Sequence, residues 1–354
     1  MFTIRFDNPT SLDTRLVGGK ALGLASMTQA GLPVSPGFTV STKAYHQYLD
    51  ALDLRGRIVG LLGSVDRSSV DALSRAERAI GTWFEEGEFP LNVHQEVSEA
   101  YTRLCREVGI DDMSVAIRSS ATAEDAVGAS FAGEYDTFVG MRGAGEVERY
   151  VRRCWASAFT ARSMAYAWKN GISPTDVEMA VVVQKTVEAR AAGVMFTLSP
   201  LTGDRSRIVI EAAYGLGLSV VGGEVTPDRY VVAKVGGEII ERIVGDKQVE
   251  YLTGSRATPV DEVRRKSLCL EDHEVKELAR LGKALERRYQ HPVDVEFAVD
   301  RQLSPDSCIV LLQCRPETYW SSRHAAATTA PIQGAAQAVL ATVLKGHRQQ
   351  NGLA

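Results

Sequence analysis

SVAIRSSATAEDAVGASFAGEYDTF, from Ser114 to Phe138, joins two textures in one segment. Val115, Ala116 and Ile117 read as a buried strand that delivers Arg118 to its end, and a loop of Ala, Gly and Ser follows, with glycines at Gly128 and Gly133. Such a loop lets backbone N–H groups come close to an anion, because few side chains stand in the way. The acids Glu124, Asp125 and Glu134 in the same loop fit a site where phosphate shares a divalent cation. An ordinary surface loop has much the same composition, so the reading turns on what the rest of the chain supplies.

Upstream, in LVGGKALGLASM (Leu16–Met27), Gly18 and Gly19 precede Lys20 and a helix predicted from about Ala21. A lysine beside a helix start holds phosphate oxygens as a point charge. The segment is not a P-loop, since that motif needs glycine six residues before the lysine, where this chain has Thr14. A glycine turn carrying a surface lysine is the plain alternative. Downstream, the period-2 alternation of VDVEFAVD (Val293–Asp300) puts Asp294 and Glu296 on one face and Val295, Phe297 and Val299 on the other. In CIVLLQCRP (Cys308–Pro316) the same alternation aligns Leu311, Gln313 and Arg315, and the intervening DRQLSPDS reads as a hairpin connection. Paired strands of this kind would bring two acids, an amide and a guanidinium to one pocket. That set suits Mg²⁺ with phosphate, although a solvated sheet face shows the same pattern.

The wider chain narrows the class. With 354 residues it exceeds what one hydrophobic core usually serves. Apolar residues make up 45%, charged residues 24%, and the formal charge is −4, which gives nucleic acid no basic surface to bind. No run approaches the roughly 18 apolar residues of a membrane span, and MFTIRFDNPT lacks the layout of a signal peptide, so no membrane partner and a cytoplasmic location are expected. Five scattered cysteines without CxxC or Cys/His spacing indicate neither disulfides nor zinc. Residues 44 to 110 carry helical periodicity. From Glu178 onward β-branched runs such as MAVVVQKTV, AGVMFT, RIVIEAA and RYVVAKV alternate with turn signals, interrupted by a helix around Asp272 to Tyr289, and an Ala-rich helix is predicted at the end.

Taken together, the motifs from residue 16 to 317 resemble the ATP-binding domain of the phosphoenolpyruvate synthase / pyruvate phosphate dikinase family. The resemblance rests on VGGKALGLASMTQAGLPVSPGF, AIRSSATAED with SFAGEYDTF, Gln184 after MAVVV, GVMFTLSP, EAAYGLG with VTPDRY, and VDVEFAVD with LLQCRPE, all in the family's order. It implies an α+β fold of the ATP-grasp type, with a helix-rich part over 1–182, a sheet-rich part over 183–317 and a tail over 318–354. ATP would lie between the two parts. Lys20 and Arg118 would bind phosphates, with Gly133 and Thr137 beneath the phosphate loop and Gln184 near the adenine. Glu296 and Gln313 would hold Mg²⁺, and Arg315 would complete the polyphosphate end. Arg118 and Arg315 would be the catalytic cations. Glu211 is the ribose or metal candidate, and Asp294 is assigned a supporting place. One departure is Leu218, where the family has an acid after Gly-Leu-Gly.

In the family a mobile domain carries a His that takes a phosphoryl group from ATP. Only a faint echo of that segment exists here, at His324 in SRHAA. A free-standing ATP-binding subunit of this kind resembles that of phenylphosphate synthase and of cresol-phosphorylating enzymes. The resemblance therefore implies a separate partner subunit with the phosphorylatable His, AMP and phosphate as products of ATP, and a phenol or aromatic alcohol as acceptor. The alternatives are the ATP-binding portion of a phosphoenolpyruvate synthase or of an antibiotic phosphotransferase and, in another class, a non-catalytic ATP sensor or scaffold.

Overall fold

The computed structural model describes residues 1–122, 136–253 and 256–320, together with the short strand pair Asp125–Ala126 and Ala129–Ser130. Two antiparallel sheets organise them. The first has strands β1 (Thr3–Arg5), β2 (Gly37–Val40), β3 (Val115–Ala121), β4 (Thr137–Met141) and β5 (Met179–Lys185), in the order β1-β2-β5-β3-β4. The second has β6 (Ala189–Phe196), β7 (Arg207–Tyr214), β8 (Asp228–Ala233), β9 (Ile239–Ile243), β10 (Val293–Asp300) and β11 (Ile309–Pro316), in the order β9-β8-β7-β6-β10-β11. All of β5 pairs with β2 and β3. The change of sheet therefore follows Lys185, whereas the boundary expected after Val182 cuts through a strand.

The periodicity between 44 and 110 folds as α2 (Thr42–Ala51), α3 (Leu54–Gly63), α4 (Val70–Glu86) and α5 (Leu91–Val108). In α4, Leu73, Ala76, Ile80 and Phe84 recur at three- and four-residue steps and are buried, while the Ser69 hydroxyl caps Ala72 N–H. With α6 (Ala144–Ala156) and α7 (Ala161–Lys169) these helices bury one face of the first sheet, through Val115, Ile117, Val181 and Val183. The second core lies between the second sheet and α8 (Asp272–Tyr289), whose start is a capping box of Glu271 and Glu274.

Helix α1 (Thr14–Gln29) ties the two halves together. It breaks at Gly18, which has φ +73° and ψ 176°. A Cβ there would sit 2.1 Å from the Ser120 carbonyl oxygen, so the glycine is needed both for its conformation and for the close approach. Ser120 on β3 stitches the break by donating to Val17 O (2.7 Å) and accepting from Ala21 N–H (3.1 Å). The helix predicted from about Ala21 is thus the segment beyond this break, preceded by one further turn from Thr14. On its other side, α1 lies so close to β11 that a Cβ on Gly23 would come within 2.8 Å of Cys314 O.

Candidate functional site: a cleft between two sheets

Alternation along β3 turns Ile117 into the helical core and Arg118 to the opposite face, the same face as Ser120 and therefore as the Gly18 break. From there Arg118 reaches the second sheet. Its Nη1 donates to Leu312 O (2.8 Å), and its Nη2 donates to Glu296 Oε2 (2.9 Å) and Gln313 Oε1 (2.8 Å). Arg118 is 12% exposed and Glu296 30%, and Arg118 Nε is buried with no partner among the described residues. One guanidinium from the first sheet thus joins two of the three polyphosphate and metal candidates on the second.

The hairpin of β10 and β11 explains why these groups face one way. Register pairs Asp294 with Arg315 and Glu296 with Gln313, as the alternation predicts. A bulge then intervenes, so that Phe297 pairs with Leu311 and Leu312 is the extra residue. Leu311 consequently sits in the second core with Phe297 and does not share the face of Gln313 and Arg315, which corrects the simple alternation. The bulge also frees Leu312 O to accept from Arg118.

Asp294 lies at the far end of the same face. Arg315 Nε is 3.3 Å from its Oδ2, while Oδ1 is buried without a partner among the described residues. Burial pushes the Asp294 carboxyl above the usual carboxylate range, Glu317 adds to the rise, and Arg315 opposes it. The hard oxygens of Asp294, Glu296 and Gln313 fit Mg²⁺ in chemistry, and the orphaned Asp294 oxygen shows spare donor capacity at the site. Among the described residues no three His, Cys, Asp or Glu side chains form a self-sufficient metal cage. Mg²⁺ commonly takes one or two carboxylates and completes its shell with water and substrate phosphate, so that donor set suffices.

The other expected residues divide. Lys20 follows the Gly18 break by two positions, in the turn that Ser120 of β3 stitches through Val17 O and Ala21 N–H. Thr137 is exposed and directly opposite Arg118 across the β3–β4 ladder. Gln184 shares the Arg118 face, paired with Ala116, but it is 2% exposed and its amide donates to Ser35 O (3.0 Å), so it builds the wall of the cleft. Glu211 falls in one cross-strand row with Gln313, Glu296 and Val194. Gly133, most of the loop around it and His324 lie outside the described residues.

Two features of the cleft carry no signal within a single motif. Val187, Ala189, Ala192, Ala298 and Val310, with Leu216 and Leu312 against them, form a small apolar cluster beside the row of acids. Arg229 stands at the end of that row, opposite Glu211. Alternation through DRYVVA places it there only once β8 is known to pair with β7.

A cleft with cations on one sheet and hard-oxygen acids on the other is the arrangement of a protein that handles a metal-bound polyanion. The chain belongs to the family described as pyruvate phosphate dikinase, AMP/ATP-binding domain, whose pattern matches residues 14–335. It is 41% identical over 309 residues to a probable phosphoenolpyruvate synthase of Methanothermobacter thermautotrophicus, covering 86% of this chain and 44% of that protein. It is 38% identical over 345 residues to the phosphoenolpyruvate synthase of Aeropyrum pernix, covering 89% of this chain and 42% of that protein. The chain spans less than half the length of these relatives. A solved structure, the dinucleotide-forming acetyl-coenzyme A synthetase 1 of Ca. Korarchaeum cryptofilum with coenzyme A and Ca-AMPCP, overlaps 63% of this chain and 81% of its own at 13% identity and a TM-score of 0.33, too slight a likeness to bear on the site. The relatives are named for phosphoenolpyruvate synthesis; none of these names carries the expected phenol-phosphorylating role. No helix of the described residues is long and apolar enough to cross a membrane.

Proposed function

We propose that this chain is the ATP·Mg²⁺-binding module, of the ATP-grasp type, in a dikinase-type phosphotransferase that yields AMP and phosphate from ATP and serves pyruvate as acceptor. The observation that carries the reading is the reach of Arg118 across the cleft to Glu296 and Gln313, with one Arg118 nitrogen and one Asp294 oxygen unpartnered among the described residues. Lys20, Arg118 and Arg315 neutralise phosphate charge. Glu296 and Gln313 hold the metal with Asp294 behind them, and the bound Mg²⁺ supplies further charge neutralisation at the phosphoryl oxygens. Gln184 and the Val187–Ala192–Val310 cluster form the base end. The contribution of this chain is positioning and electrostatics, so turnover requires the nucleophile, a His on a phosphocarrier domain, whether joined to this chain or supplied by a partner subunit. The pyruvate assignment follows the names of the relatives at about 40% identity.

The test is product analysis from labelled ATP with the chain, its His-bearing domain and either pyruvate or phenol. AMP together with phosphoenolpyruvate is the expected result. ADP as the nucleotide product overturns the dikinase reading. Phenyl phosphate in place of phosphoenolpyruvate overturns the acceptor and restores the aromatic alternative.

A further inference from the structure

We propose that Glu211 and Arg229 form the sugar-reading edge of the cleft and that Arg229 selects ribonucleotides over 2′-deoxyribonucleotides, an inference that rests on the ATP reading above. The two residues face each other across the β7–β8 ladder and continue the row Gln313–Glu296–Val194. Residues directly opposite in an antiparallel pair share a face, so both lie on the side of the sheet that Arg118 contacts. At about 4.8 Å per strand, Glu211 stands about 10 Å and Arg229 about 14 Å along the row from Glu296. Glu211 is also diagonal to Ala192 of the apolar cluster, whose direct partner on β7 is Ala213. The pair is therefore level with the metal row and to one side of it, so a nucleotide with its base on Ala192 and Ala298 and its phosphates at Glu296 would pass its sugar over Val194, beside Glu211 and one strand from Arg229.

Two further observations separate this pair from an ordinary surface charge pair. Both residues are half-buried, yet neither makes a hydrogen bond or ion pair with the other or with any side chain among the described residues. Other arginines of this half close onto nearby acids, as Arg242 does with Asp272 (2.7 Å) and Arg207 with Asp204 (3.0 Å). The strand itself is held on both sides of Arg229. Asp228 accepts from Gly245 N–H (2.8 Å), Cys269 N–H (2.7 Å) and the Lys247 ammonium, and Tyr230 Oη accepts from Leu270 N–H (3.0 Å). With Asp228 and Tyr230 fixed toward the α8 side, alternation leaves Arg229 as the residue of Asp-Arg-Tyr turned into the cleft.

The chemistry suits a vicinal diol. The carboxylate of Glu211 accepts from ribose hydroxyls, and the guanidinium of Arg229 donates to their oxygens, with a fork wide enough for two. The two charges balance, so the edge adds no net charge beside the phosphates.

Calorimetric titration of the whole chain with Mg·ATP and with Mg·2′-deoxy-ATP tests this, using the wild type, Arg229→Gln, Arg229→Lys and Arg118→Ala, each confirmed folded by its melt. One lost charge-assisted hydrogen bond makes the wild type bind ATP about tenfold more tightly than the deoxy nucleotide. Arg229→Gln should weaken ATP to the deoxy level while leaving deoxy affinity nearly unchanged, and Arg229→Lys should recover part of the difference. Arg118→Ala should weaken both nucleotides alike. Equal wild-type affinities, or an Arg229→Gln variant that loses both nucleotides equally, overturns the sugar assignment with ATP binding intact. Failure of the wild type to bind either nucleotide overturns the ATP reading, and this inference falls with it.

Discussion

Two ion pairs that engage the second sheet differ in how completely they are satisfied. Lys247 and Asp228 are both fully buried. Besides the pair itself, Lys247 donates to Gly245 O (3.1 Å) and Arg265 O (3.2 Å), and Asp228 accepts two backbone N–H groups, so the network closes on itself. Arg118 and Glu296 are also drawn together, at 2.9 Å, but Arg118 Nε and the neighbouring Asp294 Oδ1 are left over, and the pair opens to solvent. A closed pair holds the segment 245–269 against β8. An open pair on facing sheets leaves donors and acceptors for something else. Saturation, more than burial or charge, separates the structural pair from the functional one here.

The comparison breaks most visibly at Lys247. Lys247→Met leaves the buried Asp228 carboxyl short of its cation, so denaturant unfolding should show a loss of about 3–5 kcal/mol. Material that remains folded should still bind nucleotide. A variant as stable as the wild type would remove the distinction between the two pairs.

A smaller effect is expected at Asp294. Its carboxyl is raised in the folded protein, chiefly by burial. A carboxyl with a raised folded pKa costs no stability below the ordinary carboxylate range, and its cost grows as pH climbs from that range through the raised value. Asp294→Asn should therefore raise the melting temperature of the nucleotide-free protein slightly at neutral pH and leave it unchanged at acid pH. A lowered melting temperature at neutral pH would mean that the Arg315 contact outweighs burial.

Much of this site is legible in the sequence because its residues are carried by local patterns. Arg118 ends an apolar run, Lys20 follows a glycine pair, and Asp294 and Glu296 alternate along one strand. Alternation misplaces Leu311 because a bulge at Leu312 shifts the register, and nothing in CIVLLQCRP marks the extra residue. The boundary at Val182 fails for a related reason. The β-branched texture begins with MAVVV, yet that strand completes the first sheet, between β2 and β3, strands far earlier in the sequence. Arg229 gives no signal of its own because its place depends on pairing with Glu211, which no single segment encodes. Gln184 is marked by its position after MAVVV, but its burial and its bond to Ser35 depend on the loop ahead of β2.

The central claim, that the open pair exists for a ligand, is tested most directly by thermal and denaturant unfolding of the wild type and Arg118→Ala with and without Mg·ATP. Without nucleotide the variant should lose clearly less than Lys247→Met, because Glu296, 30% exposed, is left accessible to water once Arg118 is removed. With ATP at a hundred times its Kd the wild type should gain about 2.7 kcal/mol, and Arg118→Ala under the same conditions should gain almost nothing. An equal ATP-dependent gain in both proteins, or a nucleotide-free loss in Arg118→Ala as large as that of Lys247→Met, would contradict the account.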